Sequence, residues 1–243
     1  MSPADQPATR WDDVALQQLR IALHGREGPA IVAALTDRPL LDVAHLAGDG
    51  LVHAVEQQAD GAQELAEQLA WGLGERDETG DLELAAELAA ACSTSAPTAL
   101  RPLPVDLDQV AASLEGQDLF DPGWRIDVAT GRWWPEDPMD VIGEAPPDHW
   151  DDDEAWLVVE PLGSSDGWQD MRDFISLVED SRLAEQLEAA IRGRGAFRRF
   201  GDLIHREEQL SRRWRLFTDQ RQLGRARHWL AAHGFRPAPP TTT

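Results

Sequence analysis

The hydrophobic period of this chain switches from helical to alternating and back again, and that succession limits the fold more than any other feature. In the first third, Leu65, Leu69, Trp71 and Leu73 recur near 3.6 residues, and Leu82, Leu84, Leu88 and Cys92 follow less cleanly. Near Trp124 the interval drops to two: Trp124, Ile126 and Val128 alternate with Arg125 and Asp127, the pattern of a half-buried strand. Ala129-Thr130-Gly131 then reads as a turn, Arg132-Trp133-Trp134 as the returning strand, and residues 155–162 as a third. Helical spacing resumes over residues 168–178, 182–191 and 196–205, with one or two further helices between Leu210 and His233. Helices, a hairpin with a third strand, then helices predict an α+β fold, with helices covering one face of a small antiparallel sheet.

Punctuation divides the chain. Gly25-x-x-Gly28-Pro29, Asp49-Gly50, Asp60-Gly61 and Thr79-Gly80 cut residues 11–92 into short helices, predicting an acidic all-helical domain behind a disordered stretch at residues 1–10. Residues 93–104, rich in Ser, Thr and Pro, read as a linker. An α+β domain is expected over residues 105–236, opening with a helix from Asp106 to Leu114. The Pro- and Thr-rich residues 237–243 are expected to form a disordered tail.

Charge follows the same division. Residues 1–189 hold ten Arg against forty acids, whereas residues 190–236 hold twelve Arg against four, within a chain of net charge -22. Such a balance repels polyphosphate and anionic lipid over most of the surface, so a DNA-coating or membrane-surface role is disfavoured. All the basic residues are Arg, which makes planar bidentate contacts and stacks on rings. A single Cys, Cys92, excludes an internal disulfide and a cysteine-based zinc site. No apolar run reaches membrane-spanning length and the N-terminus lacks a secretory pattern, so a soluble cytoplasmic protein is expected.

The basic segment carries the most distinctive run, Gly193-Arg194-Gly195-Ala196-Phe197-Arg198-Arg199-Phe200. The two glycines separate two helices and open backbone angles closed to other residues. Phe197, Phe200, Leu203 and Ile204 then fall on one helical stripe, expected to be buried, and Arg198, Arg199 and Arg206 fall off it. The first-turn amides with Arg194, Arg198 and Arg199 make a candidate anion site, to which Gly193, Gly195, Arg206 and Arg213 are added. The competing reading is that these arginines pair with acids of their own chain.

With Asp202, His205 and Arg213-Trp214 following it, this run resembles the signature of uncharacterised protein family 0158 of bacteria. The stretch from Val105-Asp106-Leu107 to Leu114-Glu115-Gly116 is similar as well. So are the hairpin Ile126-Asp127-Val128-Ala129-Thr130-Gly131 and the closing Arg225-Ala226 to Trp229-Leu230 with Gly234-Phe235. The resemblance spans about residues 104–236 and departs at Gly201, where Lys is expected; it implies no activity, substrate or catalytic residue.

Catalytic motifs are incomplete. Gly163-Ser164-Ser165-Asp166-Gly167 matches G-x-S-x-G between a strand and a helix, but a nucleophile elbow requires parallel strands upstream, where this chain is helical. Ser165 or Asp166 is expected instead to cap the next helix. The acidic run Asp148 to Glu154 lacks EF-hand spacing and reads as a solvated loop. There is no H-E-x-x-H, phosphate loop or dinucleotide fingerprint, so no metal, cofactor or catalytic residue is assigned.

The expectation is a non-catalytic interaction or regulatory protein that binds an acidic protein surface or a small anion through an arginine-rich C-terminal helical face. The alternatives are an enzyme using Asp202 and His205 on a phosphorylated or acyl substrate, and a single-stranded nucleic-acid binder. The second is weakened by rings at core spacing (Leu210, Trp214, Phe217), since buried rings cannot stack bases.

Overall fold

A computed structural model describes residues 11–93, 99–116 and 123–239. The chain separates into two compact units, one formed by Met1–Arg101 with Leu223–Arg236, the other by Pro102–Gln222 with Pro237–Thr243. No helix among the described residues is long and apolar enough to cross a membrane.

The first unit is built from α1 (Asp13–Gly25), α2 (Gly28–Leu35), α3 (Ala44–Glu56), α4 (Ala62–Arg76) and α5 (Asp81–Ala91), with a short 3-10 turn at Leu40–Val43. Asp12 starts α1 by accepting a hydrogen bond from the Ala15 amide at 2.8 Å. The start of α2 is capped from a distance, its Gly28 amide donating to Gln57 Oε1 at 2.8 Å. Leu19, Ile31, Leu35, Leu51, Leu69, Leu73, Leu84 and Leu88 are fully buried. Each removes about 2 kcal/mol worth of apolar surface from water.

The second unit contains α6 (Leu107–Leu114), β2 (Trp124–Asp127), β3 (Trp133–Pro135), α7 (Pro138–Val141), β4 (Trp156–Val159), α8 (Ser164–Ser176), α9 (Ser181–Ala190) and α10 (Ala196–Ile204). The strands form an antiparallel sheet in the order β3-β2-β4, with Ile126 opposite both Trp133 and Leu157. The α+β class is therefore the one the periodicity indicates. The hairpin turn follows from its residues: the Asp127 carboxylate accepts from the Ala129 amide and the Thr130 hydroxyl, both at 2.8 Å. Gly131 closes it at φ 71°, where a Cβ would overlap the Pro104 carbonyl. Met171, Phe174, Ile175, Leu187, Phe200 and Ile204 form the helical core, against which Trp214 and Phe217 pack.

The last helix, α11 (Glu208–Ala232), contributes to both units, with Gln222 counted in the second and Leu223 in the first. This departs from the linear division expected, in which residues 105–236 form one domain. The physical reason is a set of residues on its C-terminal half, described below. Two flanking segments also differ from expectation. Part of the expected linker is strand β1 (Arg101–Pro104), and part of the expected tail is strand β5 (Phe235–Ala238); the two strands form a two-stranded sheet. The rest of the expected disordered termini and linker lies largely outside the described residues. Finally, α8 starts at Ser164 after Gly163, whose φ is 89° and which offers no side-chain cap, so Ser165 and Asp166 sit inside the first turn and not at its cap. The strand before it belongs to an antiparallel sheet, which removes the nucleophile-elbow context.

Candidate functional site

The signature run forms the corner between α9 and α10. Asp180 caps α9 by accepting from the Arg182 and Leu183 amides. The corner itself is turned by Gly193 and Gly195, both in the left-handed region at φ 75° and 79°. Arg199 then reaches back from the first turn of α10. Its guanidinium donates to the carbonyls of Ala190 at 3.0 Å, Arg192 at 2.7 Å and Arg194 at 2.5 Å. It thereby satisfies acceptors that the end of α9 leaves open. Trp168 Nε1 donates to the Ile191 carbonyl at 3.2 Å from the α8 side. The corner is fixed by hydrogen bonds at both flanks.

The candidate arginines divide by what they touch. Arg199 holds the corner, and Arg213 donates to the Leu177 carbonyl at 2.9 Å. Arg194, Arg198 and Arg206 are exposed. The Arg198 side chain is 89% exposed and meets Asp202 only at 4.0 Å. By contrast, other arginines of the basic segment are matched to nearby acids, Arg212 with Glu208 at 2.6 Å and Arg221 with Asp173 at 2.6 Å and Asp170 at 3.1 Å. Asp202 and His205 both stand exposed, His205 as the residue that ends α10.

The expected stripe of α10 is corrected at one position. Phe200 and Ile204 are buried, but Phe197 is 51% exposed. Its ring leans on α8 at Gly167, where a Cβ would come within 3.1 Å of it, so the contact is to backbone rather than to the core. Trp168 beside it is 37% exposed.

Sequence reasoning missed a second constellation, inside the helical unit. Arg227 of α11 is completely buried, and donates to Glu87 of α5 at 3.1 Å and to Asp49 of α3 at 2.8 Å. Burial works against its charge, but the two carboxylates outweigh that and hold its pKa above the ordinary value. Burial raises the Glu87 carboxyl, with Arg227 opposing. Nearby, His45 Nε2 and Asp81 Oδ1 lie 3.0 Å apart, and Arg76 donates to both oxygens of Asp81 at 2.8 and 2.6 Å. Although burial acts to raise it, hydrogen bonds from Arg76, His45 and the Glu78 amide bring Asp81 down to about 2. Burial lowers His45 despite Asp81. Gly224 lies so close to this group that a Cβ would overlap the Thr79 carbonyl and sit 3.0 Å from His45 Nε2. The available signal was an arginine at helical spacing within an apolar stripe, Leu223, Ala226, Arg227 and Leu230.

The sheet of the second unit also gathers tryptophans. Trp134, Trp150 and Trp156 meet edge to face at 5.1–6.2 Å, and Arg125 lies 4.3 Å from the Trp150 ring and 5.6 Å from Trp156. Among the described residues no group of His, Cys, Asp or Glu is arranged to hold a metal ion.

The C-terminal part of the chain, which holds the fixed basic corner, is similar to a family whose description assigns no activity. Residues 137–240 match the profile of the Uncharacterised protein family (UPF0158). The signature octapeptide lies inside that match, while the hairpin and the helix at residues 107–114 precede it. UPF0158 protein PA5073 of Pseudomonas aeruginosa is 25% identical over 147 residues, covering 57% of this chain and 89% of the relative. No solved structure matches the chain.

Proposed function

We propose that this protein is a cytoplasmic, non-catalytic interaction protein that binds an acidic partner through the corner between α9 and α10. The observation that carries the reading is the division of labour among its arginines. Arg199 commits its guanidinium to three backbone carbonyls, which fixes the loop, while Arg194 in the loop and Arg198 in the first turn of α10 are exposed beside it, and Arg206 is exposed past the other end of α10. A rigid loop loses little conformational freedom on binding, so its charge-assisted contacts are retained in the net affinity. The remaining candidates, Gly193 and Gly195, shape the backbone, and Arg213 ties α11 to the end of α8.

The test is fluorescence anisotropy of a labelled poly-glutamate peptide titrated with the full chain at low and at physiological salt. Binding should weaken as salt rises, vanish in Arg194→Glu/Arg198→Glu, and survive Arg20→Glu on α1. Equal binding by all three proteins would overturn the assignment of this surface.

A further inference from the structure

We infer that the basic corner is one half of a mixed aromatic and arginine surface, completed by α8, and that it recognises an acidic polypeptide segment carrying an apolar or aromatic anchor residue. This rests on the basic-face reading above and adds the partner's class and the residues that read it. The surface comprises Trp168 and Arg172 of α8 with Arg194, Phe197 and Arg198. Its continuity is set by two contacts: the Phe197 ring lies against Gly167, the residue before Trp168, and the Arg172 guanidinium sits 5.5 Å from the Trp168 ring. Trp168 is anchored by its hydrogen bond to the Ile191 carbonyl, so its ring is held at the corner.

Two features select the partner. Phe197 and Trp168 keep 51% and 37% of their surface in water, although each belongs to a helix whose neighbouring apolar residues are buried. Rings and arginines are the side chains that carry most binding energy at protein interfaces, and here they are adjacent on a fixed backbone. The cations beside them call for carboxylates. A nucleic acid offers rings and phosphates too, but its charge is fixed at one per nucleotide along its whole length, whereas a peptide can place a few carboxylates around an apolar side chain and bring less total charge toward a chain of net charge -22. A short acidic peptide can match three arginines locally and still insert an apolar side chain over Phe197.

A random dodecapeptide phage library is panned on the full-length protein, and selected peptides are measured by anisotropy beside a labelled oligothymidine. The expected consensus combines Asp or Glu with Trp, Phe or Leu. Phe197→Ala, whose fold is checked by thermal melting, should weaken those peptides by about tenfold or more. The same variant should leave poly-glutamate binding unchanged, while Arg198→Glu weakens both. A consensus of acids without an apolar residue, or full binding by Phe197→Ala, overturns the mixed surface and leaves the basic-face reading standing. Failure to select any peptide, with poly-glutamate also unbound, overturns both. Oligothymidine binding tighter than the best peptide overturns the peptide assignment in favour of nucleic acid.

Discussion

Arg227→Met removes a buried charge of similar length and leaves its two carboxylates in place. Asp49 keeps 44% of its side chain in water and can be rehydrated, whereas Glu87 keeps 5% and cannot. The loss is therefore set by one stranded carboxylate. Removing one member of a buried pair costs about 3–5 kcal/mol, and because one of the two carboxylates here is half exposed, a value near the lower end, about 3 kcal/mol, is expected at neutral pH. Burial already holds the Glu87 carboxyl above its ordinary value, and without Arg227 it rises further. A folded-state pKa above the unfolded one makes the penalty largest at high pH and smaller as pH falls toward the ordinary carboxylate range. The companion Arg227→Met/Glu87→Leu replaces both charges with apolar groups and should recover to within about 1 kcal/mol of the parent. Urea unfolding followed by far-ultraviolet circular dichroism reads all three proteins. A single-variant loss below about 1 kcal/mol, or a double variant no better than the single one, would refute the reasoning, since either result means the pair is not a desolvated charge cluster.

Four further outcomes follow from the contacts described above. His45 has a folded pKa held below 6.5 by burial, so the unfolded chain takes up a proton first. Stability should thus decline as pH falls below that value, a slope that His45→Gln should flatten in a pH series of melts. Asp81, lowered from 3.8 to about 2, contributes about 2 kcal/mol that is present above pH 3.8 and lost as pH falls through 2, so the melting point should drop again there in both proteins. Gly224→Ala should destabilise by about 1–3 kcal/mol through overlap with the Thr79 carbonyl, whereas Gly74→Ala, exposed on α4 with open space around it, should stabilise by about 0.5–1 kcal/mol; equal shifts in melting temperature would refute the contact. Arg199→Ala should cost about 1–2 kcal/mol and loosen the Gly193–Gly195 backbone in amide hydrogen exchange, an effect Arg199→Lys should not rescue because an ammonium lacks the planar fork.

Much of the secondary structure could be read from spacing because local rules decide it. The hairpin follows from the alternation of Trp124, Ile126 and Val128 and from an aspartate that closes its own turn. Helices α8, α9 and α10 fall within a few residues of where their apolar intervals place them. What spacing could not supply was the destination of each apolar or charged face. Arg227 and Phe197 sit at similar stripe positions, yet one is enclosed by α3 and α5 residues far away in sequence and the other is left in water. Periodicity defines a face but does not name its neighbour. The same limit hid the role of Arg199, whose acceptors are backbone carbonyls present at every residue and therefore invisible to residue type.

The contacts of Arg227 join positions 140 and 178 residues apart. A nascent chain emerging in order exposes α1 through α5 long before Leu223–Arg236 is translated. Until then Asp49 and Glu87 lack the Arg227 guanidinium that they meet in the folded chain. Closure of the unit begun by α1 through α5 is thus tied to residues far along the chain, a high-separation contact of the kind that forms late in folding.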